Sequence, residues 1–126
     1  MKVLIIEENA AMSRLLRELI EQPACAVSEC HDGAQALAAC AAAQPDWVLL
    51  DLMLAATDAL ALTRQISVAY PQARLAVIND DDDARLRVAA RRAGACGYVL
   101  KENLFEVQRL LASDDVIGNQ ERRTRS

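Results

Sequence analysis

Apolar and polar positions follow two distinct rhythms along this chain. Short unbroken apolar runs, Val3-Leu-Ile-Ile6 and Trp47-Val-Leu-Leu50 among them, stand between turn signals and read as strands buried on both faces. Between the runs, apolar residues recur every three or four positions, as on an amphipathic helix. The two rhythms exchange five times. They predict strands β1 to β5 at 2–6, 25–29, 46–51, 74–78 and 96–100, and helices α1 to α5 at 10–21, 33–43, 58–69, 84–93 and 103–112. In α1 the apolar face is Met12, Leu15, Leu16, Leu19 and Ile20, opposite Arg14, Arg17, Glu18 and Glu21. In α3, Leu62, Ile66 and Tyr70 share a face and Pro71 ends the helix. Gly94 stands where a C-terminal cap is needed after Arg91 and Arg92, and α5 buries Leu104, Val107 and Leu111. Repeated βα units specify an α/β fold: a parallel sheet with right-handed crossovers and helices on both faces.

Length and composition narrow this picture. A chain of 126 residues suits one domain with a real core. That domain is expected over 1–113, with 114–126 a polar tail or the start of a linker. Apolar residues make up 53% but aromatics only 3%, a balance suited to alanine-rich helices packed closely on a sheet. The net charge of −4 argues against nucleic-acid binding by this domain. No segment approaches the roughly 18 apolar residues of a membrane span, and the run before Glu7 is too short for a signal peptide. Cys25, Cys30, Cys40 and Cys96 lack metal-ligand spacing, so they are expected as small buried hydrophobes in a reducing cytoplasm. His31 has no partner at ligating spacing and is given no metal role.

The chemistry gathers at the strand ends. β1 runs into Glu7-Glu8, β3 into Asp51 and β5 into Lys101. In a parallel sheet these ends share one edge, the edge where open α/β sheets bind ligands. Two carboxylates about 6 Å apart repel by roughly 3 kcal/mol at an effective dielectric near 20. Such a pocket binds a cation, holds a proton or recruits the lysine. Mg²⁺ suits it, taking one or two carboxylates while keeping several waters. A carboxylate beside that ion can act as a nucleophile and form an aspartyl phosphate, which an ammonium neutralises. Other chemistries on such a sheet lack their marks. The four glycines form neither G-x-G-x-x-G nor a P-loop, and Asp51-Leu-Met lacks the D-x-D of an aspartyl phosphatase.

Lys-Val-Leu-Ile-Ile-Glu-Glu-Asn, Leu-Leu-Asp-Leu-Met-Leu-Ala-Ala-Thr-Asp-Ala-Leu and Ala-Gly-Ala-Cys-Gly-Tyr-Val-Leu-Lys occur in that order. With these segments the chain resembles the receiver domain of two-component response regulators over residues 2–112. The resemblance implies a flavodoxin-like sheet of order 2-1-3-4-5, a topology for which a receiver protein is a standing example. It implies Asp51 as acceptor of a phosphoryl group from a sensor histidine kinase, Lys101 as the phosphate-contacting lysine and Tyr98 at the aromatic switch position. Mg²⁺ (or Mn²⁺) would be held by Glu8, Asp51 and the Met53 carbonyl, with Glu7 acting mainly through water. Met53 would shield the acyl phosphate from water and slow its hydrolysis.

Five features depart from the family pattern. The acidic pair is Glu-Glu rather than containing an aspartate, Ala55 replaces a typical proline, and Ala59 a typical glycine. Asn79 takes the switch position of a serine or threonine, with a longer, planar amide as its donor. Asp80 replaces a small residue and opposes a second negative charge if it points into the site. Aspartates 80–83 are otherwise expected to cap α4.

The expected function is a phosphorylatable switch with no external metabolic substrate. Phosphorylation would act through Asn79 and Tyr98 on the α4–β5–α5 face, which would meet a partner or a second copy. A DNA-binding output domain beyond Ser126 would suit this type. The alternative is a pseudo-receiver that docks partners without phosphate. Arg85, Arg87, Arg91 and Arg92 make α4 basic, a solvated face or part of a docking surface.

Overall fold

The computed structural model describes residues 1–112. The predicted tail at 114–126 lies outside the described residues. Five parallel strands, β1 (Lys2–Ile6), β2 (Ala26–Cys30), β3 (Trp47–Asp51), β4 (Arg74–Asn79) and β5 (Gly97–Leu100), form one sheet of order β2-β1-β3-β4-β5. Helices α1 (Ala10–Ile20), α2 (Ala36–Ala43), α3 (Ala59–Ala69) and α4 (Ala84–Ala93) alternate with the strands, and residues 105–112 form α5. The expected α/β architecture and strand order are those observed.

The period of two within each strand divides the core. Leu4, Ile6, Val48, Leu50, Leu75 and Val77 face one layer, filled by Cys40 of α2, Leu62 and Ile66 of α3 and Ala90 of α4. Val3, Ile5, Trp47, Leu49, Ala76, Ile78 and Val99 face the other, filled by Leu16 and Ile20 of α1 and Leu104, Val107 and Leu111. Burying each large side chain contributes about 1.5–3 kcal/mol, so the unbroken runs of β1 and β3 fix their place in the middle of the sheet.

Helix starts are set by short polar side chains. Asn9 accepts from the Met12 N–H, Asp58 from the Ala61 N–H, and Asp83 from those of Arg85 and Leu86. Each cap contributes about 1 kcal/mol. Gly94 ends α4 at φ 116°, as its position predicts. Gln44 ends α2 in the same left-handed region at φ 47°, with no glycine to mark the turn.

Several expectations are corrected. Asp32 accepts from the Ala34 N–H and tightens residues 33–35 into a 3₁₀ turn, so α2 begins only at Ala36. Likewise Lys101–Asn103 is a 3₁₀ turn before α5. Asp46 stands just before β3, its carboxylate accepting from the Lys2 N–H. Leu15 is 43% exposed, and Ser13 takes the buried place, donating to Glu29 of β2. Arg17 crosses to Glu29 too, at 2.6 Å. With Ser13, His31 and Arg17 all bonded to it, the Glu29 carboxyl is lowered to a pKa of about 2. Cys25, Cys30 and Cys40 are buried thiols, but Cys96 is exposed in the turn before β5.

Candidate functional site

Sheet register assembles the site. Ile6 lies opposite Leu50, so the next residues, Glu7 and Asp51, emerge side by side from β1 and β3. Asn79 lies opposite Leu100, so Asp80 and Lys101 leave β4 and β5 together. Glu7 and Asp51 are 3% and 4% exposed, an unusual depth for two acids.

That burial sets the charge of Glu7. Burial raises the Glu7 pKa to about 8, helped by its hydrogen bond to Asp51 and by that neighbour's charge, while Lys101 and the Asn9 N–H pull the other way. Asp51 accepts from the Met53 N–H at 3.0 Å through Oδ1 and from Lys101 Nζ at 3.3 Å through Oδ2. Burial disfavours the Lys101 ammonium, but Asp51, Glu7 and Asp80 outweigh it and hold the pKa above its ordinary value. The result is a buried Glu7 that favours its protonated form, bonded to Asp51 beside one cation.

Glu8 stands apart from this pair. Its Oε1 accepts from the Ala55 N–H at 2.6 Å, tying the end of β1 to the loop after β3. A proline at 55 would have no N–H to give. The structure therefore sets Glu7, rather than Glu8, against Asp51. Among the described residues no three His, Cys, Asp or Glu side chains stand ready-made as a metal site. The donor chemistry nonetheless fits a hard divalent ion. Two facing acids crowd negative charge where a cation would relieve their repulsion, and Mg²⁺ needs no more than two carboxylates.

The end of β4 is held by a dense set of contacts. Asn79 is buried, and both hydrogens of its amide are engaged, donating to the Asp81 carbonyl at 3.1 Å and the Tyr98 hydroxyl at 2.8 Å. Its Oδ1 is buried without a hydrogen-bond partner. The Tyr98 hydroxyl donates in turn to the Asp81 carbonyl at 2.8 Å. Arg87 lies over the Tyr98 ring, 4.5 Å from its centre, and pairs with Asp82 at 2.5 Å. Asp80 extends a half-exposed carboxylate to within 3.5 Å of Lys101 Nζ. Of the four aspartates expected to cap α4, only Asp83 does so. The other three hold Lys101, Tyr98 and Arg87.

Two further contacts leave only faint marks in the sequence. His31 sits 3.2 Å from Glu29, which alternation along a strand places on its own side two residues earlier. The Glu8–Ala55 bond had one sign in the sequence, the absent proline.

The family described as the response regulator receiver domain matches residues 3–113. The chain is 31% identical over 112 residues to the response regulator MprA of Mycobacterium avium, covering 89% of this chain and 48% of that protein. It therefore spans about half the length of such relatives. A two-component response regulator of the LuxR family from Aurantimonas is similar at 26% identity and a TM-score of 0.81, covering 89% of this chain and 82% of that one. A CheY-like receiver domain protein from Methanospirillum hungatei superimposes with a TM-score of 0.84 at 16% identity, over 95% of this chain and 97% of that one.

Proposed function

The chain belongs to the response regulator receiver family, and we propose that its Asp51 accepts a phosphoryl group from a sensor histidine kinase. The observation that carries this reading is the buried pair of Glu7 and Asp51 with Lys101 against it. Such a pocket concentrates acid where only a proton or a cation can balance it, and it presents one carboxylate to a single ammonium.

In the proposed reaction an oxygen of Asp51 attacks the phosphorus of the donor's phosphohistidine. The new O–P bond forms as the P–N bond breaks, and the electron pair returns to the imidazole, which takes up a proton. Lys101 neutralises charge on the transferred group, and the Met53 N–H holds the carboxylate in place through its other oxygen. Mg²⁺ held by Asp51, Glu7 and the Met53 carbonyl, with Glu8 in reach once it leaves Ala55, would supply charge neutralisation for phosphoryl transfer. Met53 has an exposed side chain beside the acceptor, where it would hinder water.

The phosphoryl signal would pass through Tyr98 to the face built from α4, β5 and α5. A groove there is lined by Arg87, Arg91, Cys96 and Tyr98, a basic surface for a partner or a second copy. In a longer protein an output domain, DNA-binding in the expectation above, would follow Ser126 and share the cytoplasm with the kinase.

A specific observation favours a second reading. With Asn79 engaged and Asp80 on Lys101, the pocket is arranged to hold its switch residues without phosphate, as a pseudo-receiver would. Acetyl phosphate with Mg²⁺ separates the two by intact mass. The first reading expects one added phosphoryl group, absent in Asp51→Asn. An unmodified wild-type mass supports the second.

A further inference from the structure

Lys101 has two anionic neighbours, Asp51 at 3.3 Å from inside the pocket and Asp80 at 3.5 Å from its rim. Asp80 opens the loop between β4 and α4. The next three residues carry contacts that reach away from the site: the Asp81 carbonyl receives Asn79 and Tyr98, Asp82 holds Arg87 over the Tyr98 ring, and Asp83 caps α4. The lysine that faces the acceptor therefore also anchors the loop that fixes Tyr98.

We propose that Asp80 is a built-in competitor of the phosphoryl group: it occupies Lys101 in the unmodified protein, and a phosphoryl group on Asp51 displaces it and shifts the loop to which Tyr98 is tied. The inference rests on the reading of Asp51 as phospho-acceptor. Its physical basis is charge. A phosphoryl group carries nearly two negative charges where the Asp51 carboxylate has one. Lys101 cannot serve that group and Asp80 equally, and the two anions repel. Asp80 is half exposed, so its hold is the weaker and is screened by salt. Once it lets go, the Asp81 carbonyl one residue on loses its fixed position. Asn79, whose Oδ1 is already unpartnered, then has an amide hydrogen to spare.

The test compares Asp80→Asn with Asp82→Asn, which removes the same charge from the same loop without touching Lys101. Loading of Asp51 by acetyl phosphate with Mg²⁺ is followed by intact mass at low and high salt. In parallel, 3-fluorotyrosine is incorporated into a Tyr70→Phe background, leaving Tyr98 as the one fluorine reporter. D80N is expected to load up to roughly fivefold faster than wild type and D82N, with the gap narrowing in high salt. The Tyr98 resonance is expected to move when wild type is loaded and to move part of the way in unmodified D80N. Equal loading by D80N and D82N overturns the competition. A Tyr98 signal unmoved by loading or by D80N overturns the coupling. If no form loads, the phospho-acceptor reading fails and the competition with it, while Tyr98 in unmodified D80N still decides the coupling.

Discussion

A carboxyl group that keeps its proton near neutrality ties the stability of its fold to pH, and Glu7 is such a group. Its pKa is about 8 in the fold against 4.5 for a free side chain. Between those values Glu7 holds more proton in the fold than in the unfolded chain, so its own contribution to stability is greatest below pH 4.5 and falls as pH rises towards 8. Glu7→Gln keeps the shape and removes the titration. The slope of unfolding free energy between pH 5 and 8, measured by urea denaturation without divalent metal, is expected to flatten in E7Q. An E7Q slope equal to wild type would show that another group carries it. Mg²⁺ is expected to stabilise wild type more at pH 8 than at pH 5, because the ion competes with the proton on Glu7. At this scale the sequence was legible for Glu7, Asp51 and Lys101, since each stands at the carboxyl end of a strand. Which glutamate faces Asp51 was not, because the Ala55 N–H that draws Glu8 away depends on how the next loop folds.

Among the elements, α4 shows most clearly what local signals settle. Gly94 caps it at φ 116°, and a Cβ there would lie 2.1 Å from Ser67 Oγ of α3. Gly94→Ala therefore meets both a disfavoured backbone and a blocked space. Its urea midpoint is expected to fall, with a loss of roughly 2 kcal/mol or more. A loss under about 0.5 kcal/mol would mean that the α3–α4 contact yields easily. A glycine after two arginines was readable in advance, whereas Gln44 takes the same backbone region with no residue signal. The Asp80–Asp83 run hid its roles for a related reason. Four identical letters do four different things, set by the direction in which each leaves the end of β4.

Among the described residues, the alternation of strands and helices carried the fold, because β1, β3 and β4 are covered on both sides and the helices on one. The same topology brings β1, β3, β4 and β5 to a common edge, so the site was legible as a place and as a set of charges. Its tuning was not. The deep burial of Glu7, the engaged amide of Asn79 and the Asp80–Lys101 contact are tertiary facts. In the proposed reading they bear on how readily the pocket would take up phosphate rather than on which residue would receive it. The claim that Asp51 receives it is tested most directly by chemical mapping. The protein is loaded with acetyl phosphate and Mg²⁺, reduced with borohydride and digested, and the peptide spanning β3 is sequenced by mass spectrometry. The account predicts conversion of Asp51 to homoserine, in wild type and more fully in D80N. A peptide with Asp51 intact in both proteins, or conversion at any other aspartate, would contradict it.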